Sequence, residues 1–325
     1  MLTWLVIGIG DITTRRVLPA ILAEERSQLA GIVTGDSAKA APYGVPAFTT
    51  LEAALGESEA AAVYVASPPF LHAPQCVAAL AAGRHVLCEK PLAMNLAEAE
   101  TMVAQARESR RTLGVAYYRR VYPKIHRARE LMRRGVIGQP VLAWATCHTE
   151  LPATNLHRSW LLDPTQAGGG PLYDIGCHRI DILNFLFGEP ARVAGQLSNV
   201  VHALAVEDSA TVMIEYKNKL RAIVDVRWHS RVQRDEFRII GTEGEMDLTP
   251  LNGPGLVYPG GQENLPTHAN VHYPCVKNFV HAVLDGGPLL SSGGTALWTD
   301  WVTAQAVGAT ERHDSGDQQE GPATK

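Results

Sequence analysis

The chain has 325 residues, of which 46% are apolar, 19% charged and 6% aromatic. That composition belongs to globular proteins with a sizeable core; it excludes disorder throughout and suggests two domains of roughly 150 residues each. Twenty-nine Lys plus Arg against thirty-three Asp plus Glu give a formal charge of −4, and without a long basic run nucleic acid is not an expected partner.

Met1 to Gly10 is apolar but lacks a basic leader region and runs straight into a glycine-rich turn, so it reads as a mature strand rather than a signal peptide. No apolar run approaches the ~20 residues a membrane span needs. The five cysteines (Cys76, Cys88, Cys147, Cys177, Cys275) are widely spaced without a C-x-x-C pair. Neither a disulfide framework nor a zinc knuckle is indicated, and a reducing cytoplasm is the expected location.

In chain order, Leu2 to Ile7, Leu29 to Val33, Ala62 to Ala66, His85 to Cys88 and Thr112 to Ala116 are short runs rich in Val, Ile and Leu, as strands buried on both faces should be. Helix-like segments lie between them: Arg16 to Glu24, Leu51 to Leu55, Ala73 to Ala82 and Leu96 to Glu108, the last opened by an Asn95/Glu98 capping box. The alternation predicts a doubly wound parallel sheet over residues 1–121. From residue 122 to 310 the pattern changes. After a helix over Pro123 to Arg134 come Val141 to Cys147, Val193 to Val200, Ser209 to Tyr216, Leu220 to Trp228, Phe237 to Ile240 and Glu245 to Leu248, with turns at Lys217 to Lys219 and Gly241 to Gly244. This predicts an α+β domain on a large, mostly antiparallel open sheet, with helices over Asp181 to Phe187 and Val276 to Leu284. Residues 311–325 lose large apolar side chains and read as a frayed tail.

Gly8-Ile-Gly10-Asp11-Ile12-Thr13 follows a strand and opens a helix, the context of a dinucleotide-binding turn: Gly8 for the sharp bend, Gly10 for close approach of backbone N–H groups to a pyrophosphate. Thr13 stands where a third small residue is usual, so helix and strand must pack further apart or the hydroxyl must turn away. At the end of the second strand Thr34-Gly35 replaces the acid that would bind a ribose 2′-hydroxyl. With Arg15, Arg16, Ser37 and Lys39 nearby to hydrogen-bond a 2′-phosphate, NADP is preferred. NAD remains open, with Asp36 on the ribose. Ser67-Pro68 and His72 fall at the carboxyl end of the third long strand, where open sheets bind ligands, and Glu89-Lys90-Pro91 ends the next.

Asp174 and His178, four residues apart after Gly168-Gly-Gly170, would share one helix face, and the glycines permit close approach to something bulky. A histidine is a natural acceptor of a hydroxyl proton, tuned by a neighbouring Lys and Asp. A simply satisfied Asp/His pair stays open as an alternative. A metal site is disfavoured, since no third His or Cys lies at ligand spacing.

Gly8-x-Gly10, Tyr64 to Pro68 with His72, Ala81 to Pro91, Tyr117 to Arg120 with Pro123, and Gly168 to Asp181 together resemble the Gfo/Idh/MocA oxidoreductase family, from Leu2 to about Val307. The resemblance implies a Rossmann domain followed by an α+β domain whose open sheet makes homodimers or homotetramers. It implies NAD(P)-dependent oxidation or reduction of sugars, cyclitols or related polyols. By the same resemblance Lys90 contacts substrate and cofactor, Asp174 holds the substrate, His178 transfers the proton, and Tyr118, Arg119 and Trp160 line the cleft. Leu151 to Trp160 is expected to shape specificity. An NADP-type site implies reduction as the cellular direction. Two other functions fit the same motifs: a glycosidase that oxidises its sugar transiently with a held NAD, and a non-catalytic NADP-binding sensor.

Overall fold

The computed structural model describes residues 1–151 and 156–315. Strands β1 (Leu2–Ile7), β2 (Ser27–Val33), β3 (Ala47–Phe48), β4 (Ala62–Val65), β5 (His85–Cys88) and β6 (Leu113–Val115) form one sheet in the order β3-β2-β1-β4-β5-β6. Every pairing in it is parallel. Helices α1 (Leu18–Ala23), α2 (Ser37–Ala40), α3 (Leu51–Glu57), α4 (His72–Ala81) and α5 (Leu96–Glu108) make the crossovers. Parallel strands buried on both faces require apolar side chains throughout, and Leu5, Val6, Val63, Tyr64, Val65, Val86 and Leu87 are all buried. The chain reverses direction across the sheet between β1 and β4, which opens a crevice at their carboxyl ends.

Two local expectations are refined. At Thr13 the chain enters the helix through a wider π-helical turn, residues Thr13–Val17, before α1, with Thr13 buried in it. The capping box of α5 is offset by one residue: Asn95 Oδ1 accepts the Glu98 N–H at 3.0 Å, but Glu98 Oε2 accepts the Met94 N–H at 3.2 Å.

The second half contains α6 (Pro123–Arg133), β7 (Pro140–Glu150), α7 (Pro164–Ala167), α8 (Cys177–Phe187), β8 (Pro190–Ser198), β9 (Ser209–Tyr216), β10 (Arg221–Arg227), β11 (His229–Gly241), β12 (Glu245–Asp247), β13 (Gly255–Tyr258), β14 (Gly261–Asn264), α9 (Tyr273–Asp285) and α10 (Gly293–Ser315). Its strands make an eight-stranded sheet, order β14-β13-β12-β11-β7-β10-β9-β8, antiparallel except between β7 and β10. Period-two burial decides its faces: Ala222, Val224 and Val226 of β10 are buried, whereas Ile223, Asp225 and Arg227 alternate to the other side.

The last two helices reach back to the first sheet. Phe279 of α9 packs 5.4 Å from the Trp4 ring, the Val115 N–H donates to Ser291 O at 2.9 Å, and α10 runs between α5 and α8. Helix α10 continues to Ser315, so part of the segment read as a tail is helical; residues 316–325 lie outside the described residues. Among the described residues no helix is long and apolar enough to cross a membrane.

Candidate active site

Loop Gly8 to Gly10 lies in the crevice between β1 and β4. Gly8 has φ +86°, and a Cβ there would stand 3.0 Å from Ala66 O and 3.2 Å from Ser67 N. Both its conformation and its contact with the β4 loop therefore require glycine. A Cβ on Gly10 or Gly35 would meet nothing within 4 Å. These are open crests beside a helix start, which fit the pyrophosphate and ribose of a dinucleotide. Thr34 Oγ1 accepts the Asp36 N–H at 3.1 Å, and Asp36 Oδ1 caps α2 by accepting the Ala38 N–H at 3.1 Å. Ser37 opens α2. Lys39 sits 3.8 Å from Asp36, and Arg15 pairs with Asp11 at 2.9 Å. Both pairs are exposed and hold their cations only weakly. Ile12 is exposed as well.

Behind this rim, His72 is fully buried and accounts for both ring nitrogens: Nδ1 lies 2.8 Å from Pro91 O and Nε2 2.9 Å from Ser67 O. Expected as a cofactor contact, it instead ties the Ser67-Pro68 loop to the Lys90-Pro91 loop, with no ring nitrogen left over. Ser67 Oγ donates to Gln75 Oε1 at 2.6 Å. Glu89 also faces inward. Its Oε1 accepts the Tyr64 hydroxyl at 2.8 Å and lies 3.1 Å from His272 Nε2. Burial opposes ionisation of Glu89, but the His272 and Tyr64 contacts win and hold its carboxyl below the usual range.

Lys90 crosses to the second half of the chain. Its Nζ donates to Asp174 O at 2.7 Å and to Asp174 Oδ1 at 3.0 Å. Burial pulls the Lys90 pKa down, yet the Asp174 carboxylate holds it above the ordinary lysine value. Asp174 lies on a π-helical turn, Leu172–Gly176, that leads into α8, so the four-residue spacing to His178 spans a change of helix type rather than one regular face. The glycines before it serve the chain's own packing. A Cβ on Gly169 would reach 2.4 Å from the Tyr173 ring, and one on Gly170 would come 1.9 Å from Glu207 O. Glu207 in turn accepts the Gly170 N–H at 2.7 Å and the Leu172 N–H at 3.1 Å, fixing the turn that carries Asp174.

His178 is buried against aromatic rings, 5.9 Å from Tyr117 and 5.3 Å from Tyr118 between centroids. Its Nδ1 has no hydrogen-bond partner among the described residues. Burial first, and then the positive charges of Arg119, Lys90 and Arg179, hold its pKa well below the ordinary histidine value, so the imidazole is neutral at pH 7. The Tyr118 ring also lies 4.8 Å from His272, tilted 36° to it, and the Arg119 guanidinium lies 4.8 Å from the Tyr118 centroid. Arg119 Nε donates to Asn252 Oδ1 at 2.9 Å, and Asn252 hangs on Asp235, which pairs with Arg179 at 2.7 Å. Trp160 packs in a small cluster with Leu161, Val206, Trp228 and Ile175. Residues 152–155 of the stretch expected to set specificity lie outside the described residues.

His272 and Asn252 were not expected from sequence. Each comes from a turn remote from every motif, and only the Gly-rich and Lys-bearing loops carried a local signal.

A family model described as an oxidoreductase family with an NAD-binding Rossmann fold matches residues 2–117, and a GFO/IDH/MocA C-terminal domain model matches residues 125–247. A 1,5-anhydro-D-fructose reductase of Ensifer adhaerens is 30% identical over 310 residues, covering 91% of this chain and 92% of its own. The chain belongs to the Gfo/Idh/MocA oxidoreductase family. Its Rossmann half is therefore an NAD(P)-binding domain, and the chain is an oxidoreductase. The chain is also similar to a D-xylose 1-dehydrogenase [NADP(+)] of Haloarcula marismortui, 28% identical over 258 residues (75% of this chain, 71% of that one). The aldose-aldose oxidoreductase of Caulobacter crescentus, crystallised with glycerol, superposes with a TM-score of 0.86 at 25% identity, covering 96% of this chain and 98% of that one.

Proposed function

We propose that this enzyme oxidises or reduces a hydroxyl-bearing carbon of a sugar, cyclitol or related polyol with NADP(H) as the preferred coenzyme. The observation that carries the reading is the Lys90 Nζ to Asp174 Oδ1 contact at 3.0 Å beside a buried, neutral His178. The relatives named for anhydrofructose and xylose support a sugar-like substrate. When bound, the nicotinamide accepts or returns the hydride. In oxidation the His178 imidazole takes the substrate hydroxyl proton at a ring nitrogen. The Lys90 ammonium, with three N–H groups and Asp174 engaging two, directs positive charge at the developing alkoxide. Asp174 fixes Lys90 and the orientation of the substrate. The cofactor loops Gly8 to Thr13, Ser67-Pro68 and Glu89 to Pro91 hold the coenzyme against this trio.

The test is absorbance at the reduced-nicotinamide band while the purified chain is offered NADP or NAD with a panel of sugars, inositols and ketoses. Coenzyme reduction or oxidation with one of them is expected. Aglycone hydrolysis without net reduced coenzyme, or tight coenzyme binding without turnover of any compound, would overturn it.

NADP(H) is expected to bind more tightly than NAD(H), because Thr34 carries no charge to repel a 2′-phosphate, Asp36 is occupied as the cap of α2, and Arg15 and Lys39 stand on the exposed rim. Competitive titration giving the opposite order would assign Asp36 to the ribose. The depressed His178 pKa also sets a direction. A base that titrates well below 6.5 stays competent as the pH falls, so kcat/KM for oxidation should be flat from about pH 8 to about pH 6 and decline only below that range. An inflection at or above 6.5 in that profile would contradict the assignment. Reduction needs the same imidazole to arrive protonated, so kcat/KM for reduction should fall as the pH rises over that range.

We also propose a homodimer or homotetramer through the open face of the eight-stranded sheet. Trp144 of β7, Ile223 of β10 and Met213 of β9 are in register across that face, with Trp144 42% and Met213 46% exposed. An apolar stripe of this kind on a sheet face favours association. Light scattering should give a multiple of 35.1 kDa, reduced to the monomer in Trp144→Glu/Met213→Glu; a monomeric wild type would refute it. Five buried, unpaired cysteines suit the expected cytoplasmic location.

A further inference from the structure

Three segments remote in the chain meet behind the Lys90-Pro91 turn, at the Glu89 carboxylate. Ionised, it only accepts hydrogen bonds. Oε1 takes the Tyr64 hydroxyl at 2.8 Å and faces His272 Nε2 at 3.1 Å, and Oε2 takes the Lys90 backbone N–H at 3.3 Å. His272 Nε2 must therefore carry a hydrogen, while its Nδ1 is closed off without a partner among the described residues. The ring is almost closed to solvent, at 1% exposure, and packing alone would be met by a phenyl ring with no nitrogen to leave unsatisfied. Its loop is anchored as well: Asn270 Oδ1 accepts the His272 N–H at 3.0 Å, and Asn270 Nδ2 donates to Arg16 O at 2.8 Å on the π-helical turn before α1. With Glu89 on Lys90 N and His72 Nδ1 2.8 Å from Pro91 O, the turn that carries Lys90 is held at two successive residues. The His272 ring also lies beside Tyr118, whose ring is 5.3 Å from that of His178.

We propose that His272 is a positioning residue for the reaction: its Nε2–H holds the Glu89 carboxylate, Glu89 holds the Lys90 N–H, and the Lys90 ammonium is thereby kept on Asp174 and aimed at the substrate oxygen. This role rests on the assignment of Lys90 to the reaction. Without the Nε2–H, Oε1 keeps the Tyr64 hydroxyl alone; the carboxylate is then free to turn, and the Lys90 N–H loses a fixed acceptor. A misplacement of about 1 Å at a reacting group costs on the order of 10²-fold in rate. The loss falls on kcat, because Lys90 acts on charge that develops only as the substrate oxygen becomes an alkoxide. The Gly8 to Thr13 loop keeps its own contacts, so coenzyme affinity is left nearly as it was.

Two readouts on the full chain test it, one of them independent of substrate. In the coenzyme assay, His272→Phe, which keeps an aromatic ring beside Tyr118 but has no donor, should lower kcat by about tenfold or more, while the substrate KM and the coenzyme dissociation constant move by less than about threefold. His272→Gln, whose side-chain amide places an N–H near the Nε2 position, should restore kcat to within about threefold of the wild type. A packing role predicts the opposite order. Limited acetylation with acetic anhydride, read by peptide mass spectrometry against exposed Lys277, should modify Lys90 faster, by about threefold or more, in His272→Phe than in the wild type or His272→Gln. Asn270→Ala frees the loop and leaves the buried groups in place; it should move both readouts the same way by less, so the outcome does not depend on His272→Phe folding. Wild-type kcat in His272→Phe, an equal loss in His272→Gln, or unchanged Lys90 acetylation in both His272→Phe and Asn270→Ala would overturn the role. Absence of turnover by the wild type with every compound would defeat the polyol reading, and the acetylation of Lys90 would still decide this one.

Discussion

Replacing His178 or Lys90 with alanine is expected to lower kcat by about 10²–10⁴-fold, while the dissociation constant of the coenzyme moves by less than tenfold. The two effects should separate because most of the proposed coenzyme contacts, on the Gly8–Thr13 and Ser67-Pro68 loops, lie outside the groups proposed to act on the substrate hydroxyl. Gly8 and Gly10, proposed to face the pyrophosphate, keep their conformation and open space in both variants, since neither alanine touches them. Lys90, by contrast, reaches across from the first sheet to Asp174 on the turn before α8. Its loss removes the charge facing the alkoxide and leaves the Asp174 carboxylate without that partner. His178→Ala removes the proton acceptor and opens space beside Tyr117 and Tyr118, so circular dichroism should accompany the kinetics. Steady-state rates with the substrate identified by the coenzyme assay, together with coenzyme titration, decide it. Full turnover in either variant would sink the assignment.

The second large effect concerns stability. Arg120 Nε donates to Asp181 Oδ2 at 2.9 Å, and its Nη1 donates to Leu290 O at 3.0 Å and Thr295 Oγ1 at 2.7 Å. One guanidinium thus ties the Tyr118–Val121 turn to α8 and to the start of α10, and both ionic side chains are almost wholly buried, at 2% and 1% exposure. Breaking such a pair on one side leaves an uncompensated buried charge, so Arg120→Met should cost about 3–5 kcal/mol. Arg120→Met/Asp181→Leu should recover at least half of that, because a matched apolar pair carries no desolvation penalty. The pH dependence has a definite sign. Burial already holds the Asp181 pKa above its ordinary value despite Arg120, and removing Arg120 raises it further. The folded state then binds more protons than the unfolded, so the deficit of Arg120→Met grows from about pH 5 to about pH 8. Denaturant melts at both pH values measure it; a deficit that shrinks with pH would show that Asp181 finds another cation.

The first sheet was legible because its strands are apolar on both faces and three of its helices, α2, α3 and α5, open on side-chain caps. β1 and β5 have the expected limits, and β2, β4 and β6 differ by one or two residues. β3, at two residues, is too short to show a pattern, and β13 and β14 are broken up by glycine. β11 extends well beyond the expected Phe237 to Ile240 because its polar first half, His229 to Glu236, hides the alternation. α10 escaped notice because its neighbours touch it on several sides and no one-sided apolar stripe is needed.

The order of local motifs determined by itself that this is a dinucleotide-binding oxidoreductase and that Lys90, Asp174 and His178 are the residues to test, since glycine turns and strand ends are specified by neighbours in the chain. Tertiary structure decided what those motifs touch. It turned His72 into a strap between two loops, the glycine run into a seat for Glu207 and Tyr173, and His272 into the partner of Glu89. Hydrogen-bond partners and electrostatic surroundings are made by distant segments, 183 residues apart for Glu89 and His272, and no local pattern encodes which of them will meet.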